Sequence, residues 1–170
     1  MGSENAFAEN CRMIYLLALL IGVIAGLRAM TAPAAVSWGA YLGFVGVAGS
    51  WMAFLGSIWT ALILTILAIG ELVTDQLPRT PSRTVPAQFA TRIITGAFSG
   101  AAIGMGFGQW LGGLAAGAIG AVAGTLGGAA FRSRVAAAFR RDPPAAFIED
   151  AIAIAGAGLI IYALTGMASS

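Results

Sequence analysis

The chain is expected to fold as an all-α, polytopic membrane helix bundle of five to six glycine-rich spans, and three features of the sequence predict this. Hydrophobic residues make up 59% and charged residues 9% of the 170 positions, with a mean hydropathy of +0.89. Soluble domains carry roughly a quarter charged residues. Long apolar runs recur between short polar breaks, and about 20 apolar residues suffice for one helical crossing. Glycines number 24, many of them four apart, the spacing that lets helices in lipid approach closely. Residues 1–170 leave no room for a separate soluble domain and read as a single integral membrane domain.

Residues 1–12 form a polar N-terminal tail in which Glu4 and Glu9 oppose Arg12, a poor basic region for a secretory signal. Met13 to Leu27 is an uninterrupted apolar run with Gly22 and Gly26 in a small-xxx-small pair, ending at Arg28. Thr31 is placed to cap the next helix, with Pro33 tolerated in its first turn. Ala34 to Val47 then either crosses fully or dips in and returns. Gly49 and Ser50 break the pattern, Trp51 suits a membrane interface, and a span is expected from Met52 to Thr74. After a proline-rich loop over 76–88, Gln88 to Phe107 resumes helical character, with Gly96, Gly100 and Gly104 forming a ridge. Gly112-Gly113 is read as a tight turn, and Leu114 to Phe131 as the second arm of a close hairpin. A second polar loop, 132–145, holds Arg132, Arg134, Arg140, Arg141 and Asp142. Asp142 before Pro143-Pro144 is a helix start, and the last span runs from Ala146 to Ala163.

The chemistry is concentrated in Gly70 to Thr84, GELVTDQLPRTPSRT. Glu71 and Asp75 are four apart and share one helix face, and Pro78, Pro81 and Pro86 stop the helix. Arg79, Ser82 and Arg83 follow in a rigid, hydroxyl-rich loop. Further ionisable residues in or beside apolar runs are Arg28, Arg92, Glu149 and Asp150, and such residues mark functional sites in membranes. All nine basic residues are arginine and histidine is absent, which excludes lysine Schiff-base chemistry and the usual zinc ligand and general base. Cys11 is alone, so no intramolecular disulfide forms. A net charge of +2 argues against nucleic acid as a partner.

Six of the nine arginines lie in 76–88 and 132–145, so both loops should face the cytoplasm. The expected location is therefore a bacterial inner, or cytoplasmic, membrane crossed several times. Counting six crossings, Arg28, Glu71, Asp75, Arg79, Arg83, Arg92, Arg132, Glu149 and Asp150 converge on one end of the bundle. Gly22-x-x-x-Gly26 and Gly96-x-x-x-Gly100 hint at a 3+3 inverted repeat, an arrangement that frames a site between halves in transporters.

The strings GLRAMTAPAAVSW, GELVTDQLPRTPSRT, AFSGAA and IEDAIAI together resemble the bacterial membrane proteins grouped as the domain of unknown function 4126 family. The resemblance spans nearly the whole chain, and the proline-threonine-serine-arginine string is its most specific part. It implies that Arg28, Glu71, Asp75, Pro78, Pro81, Ser82, Arg83, Arg92, Glu149 and Asp150 are the family's positions, with Gln76 where a lysine or similar residue is expected. The family has no assigned activity, so the resemblance implies an architecture and no function.

Three functions fit these residues. A transporter or channel for a small ion or solute would use Glu71, Asp75, Glu149 and Asp150 along a polar path. A membrane enzyme or binder of a phosphorylated lipid head group, an anionic phospholipid for instance, would hold phosphate with Arg79, Ser82, Arg83 and Thr84 and Mg²⁺ with Glu71 and Asp75. A structural or assembly protein would form a homo-oligomer through its glycine faces and use its charges as ion pairs. In that case Arg28 would pair with Glu71 or Asp75, and Arg92 or Arg132 with Glu149 or Asp150. No catalytic nucleophile or nucleotide loop is evident, and the lipid bilayer is the one partner common to all three.

Overall fold

The computed structural model of the chain describes residues 2–74, 85–139 and 143–168. The described residues form helices joined by turns, with no strand among them. The helices are α1 (Gly2–Leu27), α2 (Thr31–Tyr41), α3 (Ile58–Thr74), α4 (Pro86–Met105), α5 (Trp110–Phe139) and α6 (Pro143–Ala168), with a 3₁₀ turn at Ala53–Gly56 before α3. Three stretches are long and apolar enough to cross a membrane: Ala8–Leu27, Trp110–Arg134 and Phe147–Met167. Large apolar side chains such as Trp59, Ile66, Leu159 and Tyr162 cover much of the outside. A soluble monomer rarely exposes so continuous an apolar surface, whereas a helix bundle in lipid does so by construction.

Helix directions follow from the close approaches. Gly22 and Gly26 of α1 face Gly117 and Ala121 of α5 in the same order, so these helices run parallel. Gly96, Gly100 and Gly104 of α4 meet Gly117, Gly113 and Gln109 in reverse order, so α4 is antiparallel to both. The expected α4–α5 hairpin is present, and α1 completes a tight trio. Asp150, at the start of α6, reaches Arg28, at the end of α1, while Gly156 lies against Ile24, which makes α6 antiparallel to α1. One end of the bundle therefore gathers the α1–α2 break, the C-termini of α3 and α5, and the N-termini of α4 and α6. Gly46 and Gly106 meet at the other end.

Several boundaries differ from the sequence reading. The N-terminal tail is helical from Gly2. α2 has 11 residues, about 16 Å of helix at 1.5 Å per residue, and so covers only part of a ~30 Å hydrocarbon core. It stops because Gly43 takes a positive φ of 82°, with Phe44 and Val45 both donating to the Gly39 carbonyl. The span expected from Met52 begins as the 3₁₀ turn, and Ser57 is extended before α3 starts. Ser37 Oγ donates to the Leu55 carbonyl at 2.7 Å, tying that turn to α2. Gly112-Gly113 is not a turn: both lie inside α5, where Gly113 admits the Gly100 backbone. The chain reverses instead at 106–109, where Gly108 has φ 70°. Arg132 and Arg134 lie on α5, since the second polar stretch stays helical to Phe139 and resumes at Pro143.

The apolar core runs through Ile14, Leu17, Ile21 and Ile24 of α1 to Val36, Met52, Leu55, Ile103, Ile160 and Leu164. Gly96, Gly100, Gly117, Gly120 and Gly124 each abut backbone of a neighbouring helix of the same chain, whereas Gly127, Gly158 and Gly166 have open space beside them. α3 packs mainly on α2 and the 3₁₀ turn, partly through Trp38 Nε1 donating to Thr65 Oγ1 at 2.9 Å.

Candidate functional site

The site is the tight turn between two antiparallel helices. α1 ends at Leu27 and α2 begins at Thr31, so the unsatisfied carbonyls of one helix and the N–H groups of the next lie at the same end, three residues apart. Neither end is capped from within: the residue before α2, Met30, makes no side-chain cap bond, and Thr31 does not serve as the cap. The partners come from other helices.

At the α1 end, Arg92 of α4 donates through Nη1 to the carbonyls of Gly26 and Leu27, at 2.8 and 2.6 Å. Thr125 Oγ1 of α5 shares its proton between Ala121, at 2.8 Å, and Gly26, at 3.3 Å. At the α2 end, Glu71 of α3 accepts from the N–H of Ala29 on Oε1, at 2.7 Å, and from the N–H of Met30 on Oε2, at 2.8 Å. A cation at a helix C-terminus and an anion at an N-terminus are both the favourable sense of the macrodipole, worth up to ~2 kcal/mol when partly buried. The two caps also face each other, with Arg92 Nη2 3.5 Å from Glu71 Oε1.

A second pair stands beside the first. Arg28, fully buried at 0% exposure, donates from Nε to Asp150 Oδ1 at 2.6 Å, and its Nη2 forms an ion pair with the same oxygen. Glu149, on the same turn of α6, is buried at 1% exposure. The pairing thus exchanges the partners expected from the sequence: Arg28 takes Asp150, and Arg92 takes Glu71. An isolated charge at such depth is too costly to keep, so each pair also fixes the register of two helices.

The first pair borders open space. A cavity of about 660 Å³ lies between α3 and α4 and reaches Ala29 and Met30 in the break. Its α3 wall is Ile66, Leu67, Gly70, Glu71 and Thr74, and its α4 wall is Ala87, Gln88, Thr91 and Arg92. Each wall is a stripe of residues three or four apart, one face of a helix. Arg28 and Asp150 are not among the lining residues.

Of the sequence candidates, Arg28, Glu71, Arg92, Glu149 and Asp150 therefore gather at one end, as expected. Asp75, Arg79, Ser82 and Arg83, with Pro78, Pro81 and Gln76, lie outside the described residues, as do Arg140, Arg141 and Asp142. For a metal, Glu71 presents a carboxylate whose two oxygens are already engaged by backbone N–H groups. Among the described residues no group of three or more acidic or cysteine side chains could hold an ion. The sequence reading missed Gln88, Thr91 and Thr125. Gln88 and Thr91 precede Arg92 by four and one, and Gln88 was recoverable from that spacing on the same face; Thr125 had no signal beyond its place in a glycine-rich run.

Compared with protein-family models, curated proteins and solved structures, the chain matches none.

Proposed function

We propose that the chain is a multi-pass protein of the bacterial inner membrane that moves a small ion or solute, with Glu71 and Arg92 as its working pair at the cytoplasmic face. The observation that carries this is the α1–α2 break, closed by Glu71 and Arg92 on the wall of a 660 Å³ cavity. Irregular backbone is tolerated where it is buried in protein or lines a cavity, and ionisable residues held there mark solute and ion pathways. The cytoplasmic assignment rests on the six arginines of 76–88 and 132–145.

A second reading, an assembly protein without a ligand, draws on the burial of the Arg28–Asp150 pair. The two divide the charges differently. Under transport, Glu71 and Arg92 line the path of the cargo while Arg28 and Asp150 hold the bundle; under assembly all four only hold it. The test is ion flux, for protons, Na⁺, K⁺, Mg²⁺ and chloride, in proteoliposomes of the parent and Glu71→Gln. The amide keeps the shape and one of the two acceptors, so the variant is expected to lose some stability, stay folded, and lose the flux that the parent shows. A parent without flux that is stabilised only by Mg²⁺ or anionic phospholipid points to the head-group binder. Folded Glu71→Gln with parental flux removes Glu71 from the pathway and defeats the proposal.

A further inference from the structure

We infer that the groove between α3 and α4 binds a single-chain amphiphile from the bilayer whose head group is an uncharged hydroxyl, a molecule of the long-chain alcohol class. This deepens the transport reading, and rests on it, by naming the class of solute. The first support is where the groove opens. On its α3 wall, Ile66 and Leu67 are exposed at 67% and 49%, and Ile63, one turn earlier on the same face, is exposed as well. On the α4 side Ile94 is exposed at 66%. A molecule entering across these residues comes from lipid, with its chain against Ile66, Leu67 and Met30.

The second support is what the polar end offers. Glu71 and Arg92 lie 3.5 Å apart and each is bonded into backbone of the break. Their charges cancel, so an anionic or cationic head group meets one attractive and one repulsive partner at almost the same place. Among the described residues, the other polar side chains lining the groove, Thr74, Gln88 and Thr91, are neutral. Thr91 spends its hydroxyl proton on the Ala87 carbonyl, at 2.9 Å, and keeps an oxygen able to accept. Gln88 brings an amide with both a donor and an acceptor. A hydroxyl satisfies both, donating to Thr91 and accepting from Gln88, whereas an ester or ether oxygen has no proton for Thr91. The volume of about 660 Å³ falls within the roughly 300–1,000 Å³ of small-molecule sites and suits one chain with a small head.

The test is photo-crosslinking in phosphatidylcholine nanodiscs with octadecanol carrying a mid-chain diazirine, with competition by oleyl alcohol, oleate or oleylamine at equal concentration. Adducts mapped by peptide mass spectrometry are expected in 66–74 and 87–92, with oleyl alcohol at least five-fold more effective than the charged competitors. Thr91→Val should weaken competition about five-fold, the effect of one lost hydrogen bond, and Leu67→Trp should abolish labelling by filling the groove. Both positions are exposed, so neither substitution disturbs the core. Labelling spread evenly over the apolar surface, equal competition by all three head groups, or parental labelling in both variants overturns the inference. Ion flux that depends on Glu71 without groove labelling leaves transport standing and sinks the alcohol. Groove labelling without flux of ions or of the alcohol keeps the site and sinks transport.

Discussion

Gly117 is the position at which the packing is most directly testable, because three helix backbones converge there. A methyl group added at Gly117 would lie under 3.0 Å from the Gly96 carbonyl of α4, and one added at Gly22 of α1 would strike Gly117 itself. Real Cβ atoms do not come so close to backbone, so Gly117→Ala must push α5 away from α4. It cannot move freely toward α1, since Gly120 and Gly124 already abut the backbone at Leu19 and Val23. Overpacking a filled core costs typically 1–3 kcal/mol, and rigid backbone on two sides puts Gly117→Ala at the upper end, ~3 kcal/mol. At 1.4 kcal/mol per decade that is roughly a hundred-fold in the folded-to-unfolded ratio. Gly127→Ala is the matched control, on the same helix with nothing near the added carbon, where alanine is a better helix former by up to ~1 kcal/mol. Thermal unfolding in one detergent, read by loss of the monodisperse species, should separate the two variants by several degrees in opposite directions from the parent. Equal stability of Gly117→Ala and Gly127→Ala would falsify the trio of α1, α4 and α5.

Two further outcomes are expected. Asp150→Asn removes one anionic partner of the buried Arg28 guanidinium, and breaking a buried pair costs up to ~3–5 kcal/mol; the Arg28→Met, Asp150→Leu double variant should recover part of this in a thermal double-mutant cycle, and strict additivity would mean that the two residues are not coupled. In a Cys11→Ser background, cysteines at Ser82 and Ser133 should be labelled from the cytoplasmic side and one at Ala48 from the other, as the arginine distribution requires; opposite accessibility of Ser82 and Ser133 defeats the orientation.

What the sequence made legible follows from what one dimension records. Hydropathy and glycine spacing identify helices in lipid, because apolar length and backbone satisfaction leave few other states. The gathering of Arg28, Glu71, Arg92, Glu149 and Asp150 at one end was readable for the same reason, since each sits near the end of a run. Their pairing was not readable. Which carboxylate reaches Arg28 depends on how helices are turned about their axes, and Asp150 of α6 rather than Glu71 of α3 faces it. The end of α2 was hidden because apolar residues continue through Val47 while the backbone turns at Gly43. Gly112-Gly113 misled because paired glycines signal a turn in water, whereas here Gly113 is the space that lets α4 approach. The break between α1 and α2 left only a faint mark, an arginine and a helix-starting threonine three residues apart.

The two ion pairs differ in what a movement would do to them. Arg28 and Asp150 join α1 to α6 and do not line the cavity, and α1 is also held to α5 through glycine contacts. Glu71 and Arg92 join α3 to α4 across the cavity, and α3 is packed mainly on α2 and the 3₁₀ turn. Any widening between α3 and α4 must stretch the Glu71–Arg92 pair, pull Glu71 from the N–H groups of Ala29 and Met30, or carry α2 along with α3. The first two uncover charge and backbone that lipid cannot solvate, and the third strains the 28–30 break. A molecule that parted these walls would have to supply polar contacts in their place. The width of the groove and the cap of α2 are thus set by the same Glu71 contacts.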